Sequence, residues 1–105
     1  MNIMNWFKTA NQHQVFVYGT LLDPSTRARA IGREVPQSSH LLKDYKKIST
    51  EINGTRYPNI VSSSGDSVEG VIITLSEKEL NKLDKWENKE YKRIRINDLF
   101  VYVVK

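Results

Sequence analysis

Val15-Phe16-Val17-Tyr18-Gly19-Thr20-Leu21 is the stretch that decides the fold. Its first four residues are β-branched or aromatic, the profile of a buried strand. They run straight into Gly19, whose backbone adopts angles that other residues resist. A strand ending in a sharp turn is therefore predicted here. Just downstream, Asp23-Pro24 reads as a helix N-cap followed by proline at the first helical position. This opens a short helix through Arg27, Ala28 and Ile31 that Gly32 ends. Upstream, the composition up to Gln14 is polar apart from residues such as Trp6 and Phe7. The chain accordingly divides into an N-terminal extension, residues 1–14, and one domain, residues 15–105.

The remaining sequence supplies more strand than helix. Between Leu41 and Ile52 short apolar patches alternate with lysines, Asn53-Gly54 signals a tight turn, and Tyr57-Pro58-Asn59-Ile60-Val61 resumes an extended run. Ser62 to Asp66 reads as a polar loop containing Gly65. Val68 to Leu75 follows as an apolar strand with the character of a central position. Ser76 and Glu79 form a capping box that starts a second helix. Tyr91 to Ile96 and Leu99 to Val104 alternate as two strands joined at Asn97-Asp98, a type I′ hairpin turn with a less suitable second residue. The pieces are too short and unevenly spaced for successive βαβ units. The fold class is α+β: a small mixed β-barrel with short flanking helices at its rim.

Composition narrows the function classes. A length of 105 residues suits a single domain, and 39% hydrophobic residues suffice for one core. The absence of cysteine excludes disulfides and thiolate chemistry and fits a reducing compartment, so the cytoplasm is the expected location. No signal-peptide pattern or membrane-spanning run is present, so no membrane partner is expected. The net charge is +4, but the basic residues have acidic neighbours, as around Glu87 and Glu90 in Lys85 to Lys92. That reads as solvated surface rather than a nucleic-acid face. His13 and His40 lie far apart, without metal-ligand spacing and in segments read as loops or tails, so no metal site is assigned. There is no Gly-x-Ser-x-Gly elbow and no phosphate-loop signature.

Two features could carry chemistry. The Tyr18-Gly19-Thr20-Leu21 turn is either an ordinary turn or a set of backbone N–H groups pointing into a cavity, donors suited to carboxylates or developing oxyanions. Glu87 follows Leu80 by seven positions and Leu83 by four, which at helical periodicity turns its carboxylate to the leucine side. Desolvation there would raise its pKa towards neutrality and make it a proton acceptor and donor; a helix ending near Trp86 would leave it in solvent instead. Asp84 shares the inward side and is read as structural.

In one order, the Val15 to Leu21 stretch, Tyr57-Pro58, Gly65-Asp66-Ser67-Val68-Glu69-Gly70-Val71, Leu83-Asp84-Lys85-Trp86-Glu87 and Tyr91-Lys92-Arg93 resemble the γ-glutamylcyclotransferase family, including its AIG2-like and γ-glutamylamine cyclotransferase members. The resemblance covers about residues 15–104. It implies a cavity between the Tyr-Gly-Thr-Leu turn and the acid of the Leu-Asp-x-x-Glu segment, here Glu87. It further implies a cofactor-independent cyclisation of a γ-glutamyl compound to 5-oxoproline with release of an amine or amino acid. In that scheme Glu87 is the general acid/base, Tyr18, Gly19, Thr20 and Leu21 cradle the substrate, and Tyr91 helps to orient it. Asn88 stands where the family often has glycine, and the last hairpin is shorter than in many members. Beside this reading stand a non-catalytic module binding a small carboxylate or peptide end on the same barrel, and an interaction protein whose Met1 to Gln14 segment docks through Trp6 and Phe7. The leaving group and the oligomeric state are left open.

Overall fold

The computed structural model describes residues 12–105; Trp6 and Phe7 therefore lie outside the described residues. Along the chain run β1 (Gln12–Val17), a 3-10 turn (Thr20–Leu22), α1 (Pro24–Ile31), β2 (Gln37–Ile52), β3 (Thr55–Ser76), α2 (Glu77–Glu87), β4 (Tyr91–Ile96) and β5 (Leu99–Val104). The strands form one mixed sheet in the order β2-β3-β1-β5-β4. β1 runs parallel to β5 and antiparallel to β3.

The central place of β1 follows from its side chains, which are buried on both faces. Val15 and Val17 join Leu21, Ile31, Ile73, Leu75, Leu80 and Leu83 in a core beneath the helices. Phe16 and Tyr18 point the other way, into a second core with Leu42, Ile60, Val68, Leu99 and Val101. A strand with side-chain period two can serve two cores only if neither face meets water. The sheet curls into a half-barrel around the second core. Although β1 separates β3 from β5 in strand order, the Val104 N–H reaches across to Asn59 Oδ1 of β3 at 3.1 Å, and Tyr91 Oη donates to the Pro58 carbonyl at 2.7 Å.

Local signals set the helix ends. Asp23 accepts from the Thr26 N–H at 3.0 Å, Pro24 occupies the first turn, and Gly32 closes α1 at φ 100°. Ser76 and Glu79 form both arms of the capping box on α2. That helix runs on to Glu87, with Asn88 as its C-cap.

Several expectations need correction. β1 begins at Gln12, three residues before the predicted strand, because Gln12, His13 and Gln14 find ladder partners in Ser76, Leu75 and Thr74. β2 likewise begins at Gln37 rather than Leu41. The predicted loop at Ser62 to Asp66 lies inside a single strand of 22 residues. Pairing passes from Ser62↔Tyr45 to Ser67↔Lys43, so Ser63 to Asp66 bulge out opposite Asp44 alone, with Gly65 at φ 86° and its N–H bonded to Asp44 Oδ1 at 3.1 Å. Polar composition marks such a bulge and a loop identically. At the last hairpin only Asn97 has positive φ, 55°, which fits the φ signs of a II′ turn rather than I′. Both histidines lie in strands, His13 in β1 bonded to Glu77 at 2.6 Å and His40 in β2 with its ring edge-on to Phe16.

Gly70 in β3 has no room for a side chain. A Cβ there would lie 2.4 Å from the Val17 carbonyl oxygen and 2.7 Å from the Phe16 ring. Backbone cannot yield as a flexible side chain would. Gly70→Ala should therefore lower unfolding stability by about 1–3 kcal/mol, the usual range for overpacking a tight core. Urea denaturation checks this, and a stability equal to wild type would show that the strands separate freely at this point.

Candidate functional site

Where β1 ends, the chain turns away from the sheet and leaves a narrow cleft of about 30 Å³. Tyr18, Gly19, Thr20 and Leu21 form one wall; Glu87, Tyr91 and Tyr102 form another; Pro58 closes it from β3. Phe16 and Val17 complete the lining. The structure thus brings together all six predicted site residues.

Gly19 has φ −121° and ψ −131°, a pair outside both the helical and the extended regions, as expected of a sharp turn after the strand. Space is a second requirement: a Cβ would sit 3.2 Å and 3.3 Å from Pro58 Cβ and Cγ, so Pro58 would have to give by a few tenths of an ångström. Every carbonyl of the turn is occupied. Lys47 Nζ donates to the Tyr18 oxygen at 2.9 Å, Leu22 N–H to Gly19 at 3.0 Å, Asp23 N–H to Thr20 at 3.2 Å, and Arg27 to Leu21 at 3.1 Å. Among the described residues, no acceptor meets the N–H groups of Gly19, Thr20 and Leu21. Leu21 contributes backbone only, since its side chain belongs to the core under the helices, and the Thr20 side chain is exposed.

Glu87 sits at the last position of α2 on the face of Leu80 and Leu83 and is 9% exposed. Its carboxylate accepts no side-chain hydrogen bond among the described residues. Burial, reinforced by the negative charge of Glu90, pushes its pKa up to about 7. Tyr91 is pushed up to about 12 by burial and by the charges of Glu87 and Glu90; burial also raises Tyr18 and Tyr102. All three phenols are therefore protonated near neutral pH, and each proton is committed. Tyr18 donates to the Tyr102 carbonyl at 2.6 Å, Tyr91 to Pro58, and Tyr102 to Asp84 Oδ1 at 2.5 Å. Their oxygens keep lone pairs, so towards a ligand they can accept but not donate. The cleft consequently sets a turn whose N–H groups lack acceptors among the described residues beside a carboxylate and phenol oxygens. An α-amino acid head group carries the same pairing of charges.

Sequence reasoning did not assign Tyr102 or Pro58 to the site, although Tyr57-Pro58 was among the motifs quoted. It also missed the supports, Lys47 and Arg27. Tyr102 alternates within a strand like any packing tyrosine and gave no signal. Arg27 did give one: it precedes Ala30 and Ile31 by three and four positions, which puts it on the buried face of α1, where its guanidinium also reaches Gln37 Oε1 at 2.6 Å. Asp84 bonds Tyr102 and approaches Arg93 at 3.4 Å, a structural linkage between α2, β4 and β5.

The raised pKa has a stability consequence. Between the ordinary value of 4.5 and about 7 the folded chain holds a proton that the unfolded chain releases, so folding loses stability as pH rises through this window. Glu87→Gln removes that loss. Relative to wild type, the variant should gain about 1–2 kcal/mol between pH 5 and pH 8, less than the full ~1.4 kcal/mol per unit because the cleft admits water. Urea unfolding of both proteins at the two pH values measures the difference, and a gap independent of pH would mean that Glu87 is not desolvated.

The family described as Gamma-glutamyl cyclotransferase, AIG2-like, matches residues 15–104. Among curated proteins, AIG2-like protein D of Arabidopsis thaliana is 37% identical over 93 residues, which is 87% of this chain and 59% of that protein. Protein AIG2 C of the same plant is 36% identical over 85 residues, 80% of this chain and 50% of its own length. The chain thus spans about half the length of the curated relatives it matches. A solution structure from Arabidopsis thaliana superposes with a TM-score of 0.71 at 34% identity, covering 89% of this chain and 62% of that one. A structure named Gamma-glutamyl cyclotransferase shares the fold at a TM-score of 0.73 and 19% identity, covering 90% and 67%. With the matched segment taking in every residue that lines the cleft, the chain belongs to the AIG2-like gamma-glutamyl cyclotransferase family.

Proposed function

We propose that this chain cyclises a γ-glutamyl compound to 5-oxoproline and releases an amine or amino acid, with Glu87 as general acid/base. The observation that carries the reading is Glu87 itself: a carboxylate buried in a cleft, opposite a turn with free N–H donors, with a pKa of about 7. A base poised near the working pH both takes and returns a proton efficiently.

In the reaction the lone pair of the substrate's uncharged α-amino group attacks the γ-carbonyl carbon, and the carboxylate of Glu87 takes the proton that this nitrogen sheds. A new C–N bond closes the five-membered ring while the carbonyl electrons move to oxygen as an oxyanion. When that oxyanion collapses, the original γ-C–N bond breaks, and the proton held on Glu87 passes to the departing nitrogen. The books of atoms and charge balance without a cofactor. Amine and carbonyl share one flexible chain, so holding it folded supplies much of the acceleration. The N–H groups of Gly19, Thr20 and Leu21 serve the negative oxygens, and the oxygens of Tyr18 and Tyr91 accept from the amino group.

The partner is a small molecule, with no part for nucleic acid. Among the described residues no helix is long and apolar enough to cross a membrane. The lack of cysteine supports placing the protein in the cytoplasm.

The test is release of 5-oxoproline from a panel of γ-glutamyl amines, γ-glutamyl amino acids and glutathione. Glu87→Gln, folded, should cut the rate by about 10²–10⁴, the usual contribution of a general acid/base. In the wild type, kcat/KM should fall as pH drops below about 7, where Glu87 takes up its proton. If no compound yields 5-oxoproline while one of them still binds, the domain is the non-catalytic module instead.

A further inference from the structure

The Tyr18–Gly19 peptide is held from behind by a cation. Lys47 Nζ lies 2.9 Å from the Tyr18 carbonyl oxygen, yet Lys47 is not among the residues lining the cleft. It lines a separate groove with Leu22, His40, Leu41 and Val68 on the far side of the turn. In a trans peptide the C=O and N–H point in opposite directions, and the described residues contain no cis bond. A carbonyl drawn towards the groove therefore turns the Gly19 N–H to the cleft side.

The lysine reaches this place because of an irregularity in β2. Ahead of the irregularity, His40 and Leu42 face the second core, His40 against Phe16 and Leu42 fully buried within it. Asp44 then takes φ 68° and the register shifts between Lys43 and Tyr45. Past the shift the parity is reversed: Tyr45 packs against the same core and Lys47, two residues on, continues on that face. In a regular strand Lys47 would have pointed to the opposite face. Bulges beside functional sites commonly re-aim one side chain in this way.

We infer that Lys47 is a positioning residue of the cleft: its ammonium aims the Tyr18–Gly19 peptide and strengthens the Gly19 N–H as a donor to a carboxylate or oxyanion. A charged donor on the carbonyl polarises the peptide, and the polarisation reaches its N–H. The Gly19–Thr20 and Thr20–Leu21 peptides have neutral backbone donors at their carbonyls, so the Gly19 N–H is the strongest of the three. The inference rests on the cyclotransferase reading only for which anion is bound.

The test compares wild type, Lys47→Met and Lys47→Arg by NMR, with 5-oxoproline as the carboxylate probe. In Lys47→Met the Gly19 amide proton should move upfield while the Val15 and Ile73 amides stay in place. The Kd for 5-oxoproline should rise about tenfold, the loss expected for one weakened bond to a charged group. Lys47→Arg, which keeps the cation, should restore most of both effects; Lys47→Gln replaces Lys47→Met if the latter does not fold. An unmoved Gly19 amide with unchanged Kd overturns the inference. So does an equal loss in Lys47→Arg, or a wild type that does not bind 5-oxoproline. Lysine-dependent binding without turnover of any γ-glutamyl compound would keep this inference and remove the catalytic reading; turnover indifferent to Lys47→Met would do the reverse.

Discussion

Everything in the cleft depends on β1 being squeezed between its neighbours to the point where it cannot carry a side chain's width of slack. At one end of the contact the Gly70 backbone meets the Val17 carbonyl and the Phe16 ring; at the other Gly19 meets Pro58. Both glycines give up a Cβ so that β3 can lie against β1 and its turn. The consequence is a turn fixed in position before any ligand arrives. Its carbonyls are occupied by Lys47, by Arg27 and from the following 3-10 turn, which leaves its peptide N–H groups without acceptors among the described residues. Pre-orientation of this kind is what lets weak dipoles act on a ligand without reorganising.

Glu87 is the opposing element, and the sequence around it shows how it is held. A capping box fixes where α2 starts, and Leu80 and Leu83, nearly inaccessible, fix its rotation against the sheet. With start and rotation set, the last residue of the helix has no choice of face. Keeping a carboxylate there costs folding free energy whenever it is ionised, because neither a cation nor a hydrogen bond from a described side chain compensates it. Salt-bridged surface acids such as Glu79, held below the ordinary carboxylate range by Arg33, are in the contrary situation. A group kept in an unfavourable state by strong packing around it supports the proposed role in proton transfer.

Much of this was legible in the residues. The strand entering Gly19, the caps at Asp23 and Ser76, and the i, i+3, i+7 placement of Leu80, Leu83 and Glu87 are short-range signals, and the structure retains each. The signals that failed were those whose meaning depends on a distant partner. Ser62 to Asp66 is polar whether it loops or bulges, and only its pairing with β2 decides. Gln12 to Gln14 lack apolar character yet extend β1 because Thr74 to Ser76 offer a ladder. Gly19 was read for its backbone angles, and its second requirement, room against Pro58 almost forty positions away, has no local signature. Lys47 was one lysine among several alternating with apolar residues, and the parity change at Asp44 that aims it has no local signature.

The net charge of +4 illustrates how composition can mislead about a site. Among the described residues no cationic side chain lines the cleft and Glu87 is its one charged group, so in the proposed reaction peptide N–H groups would supply the anion-binding side. The cations nearest the turn, Lys47 and Arg27, act through carbonyls from outside it. A ligand's carboxylate would therefore be met by N–H donors at fixed distance instead of by a mobile ammonium that could also form an ion pair with Glu87 and return its pKa to the ordinary range. In the proposed reaction, keeping Lys47 and Arg27 off the cleft wall would let it bind a negative group while Glu87 stays a neutral-pH base.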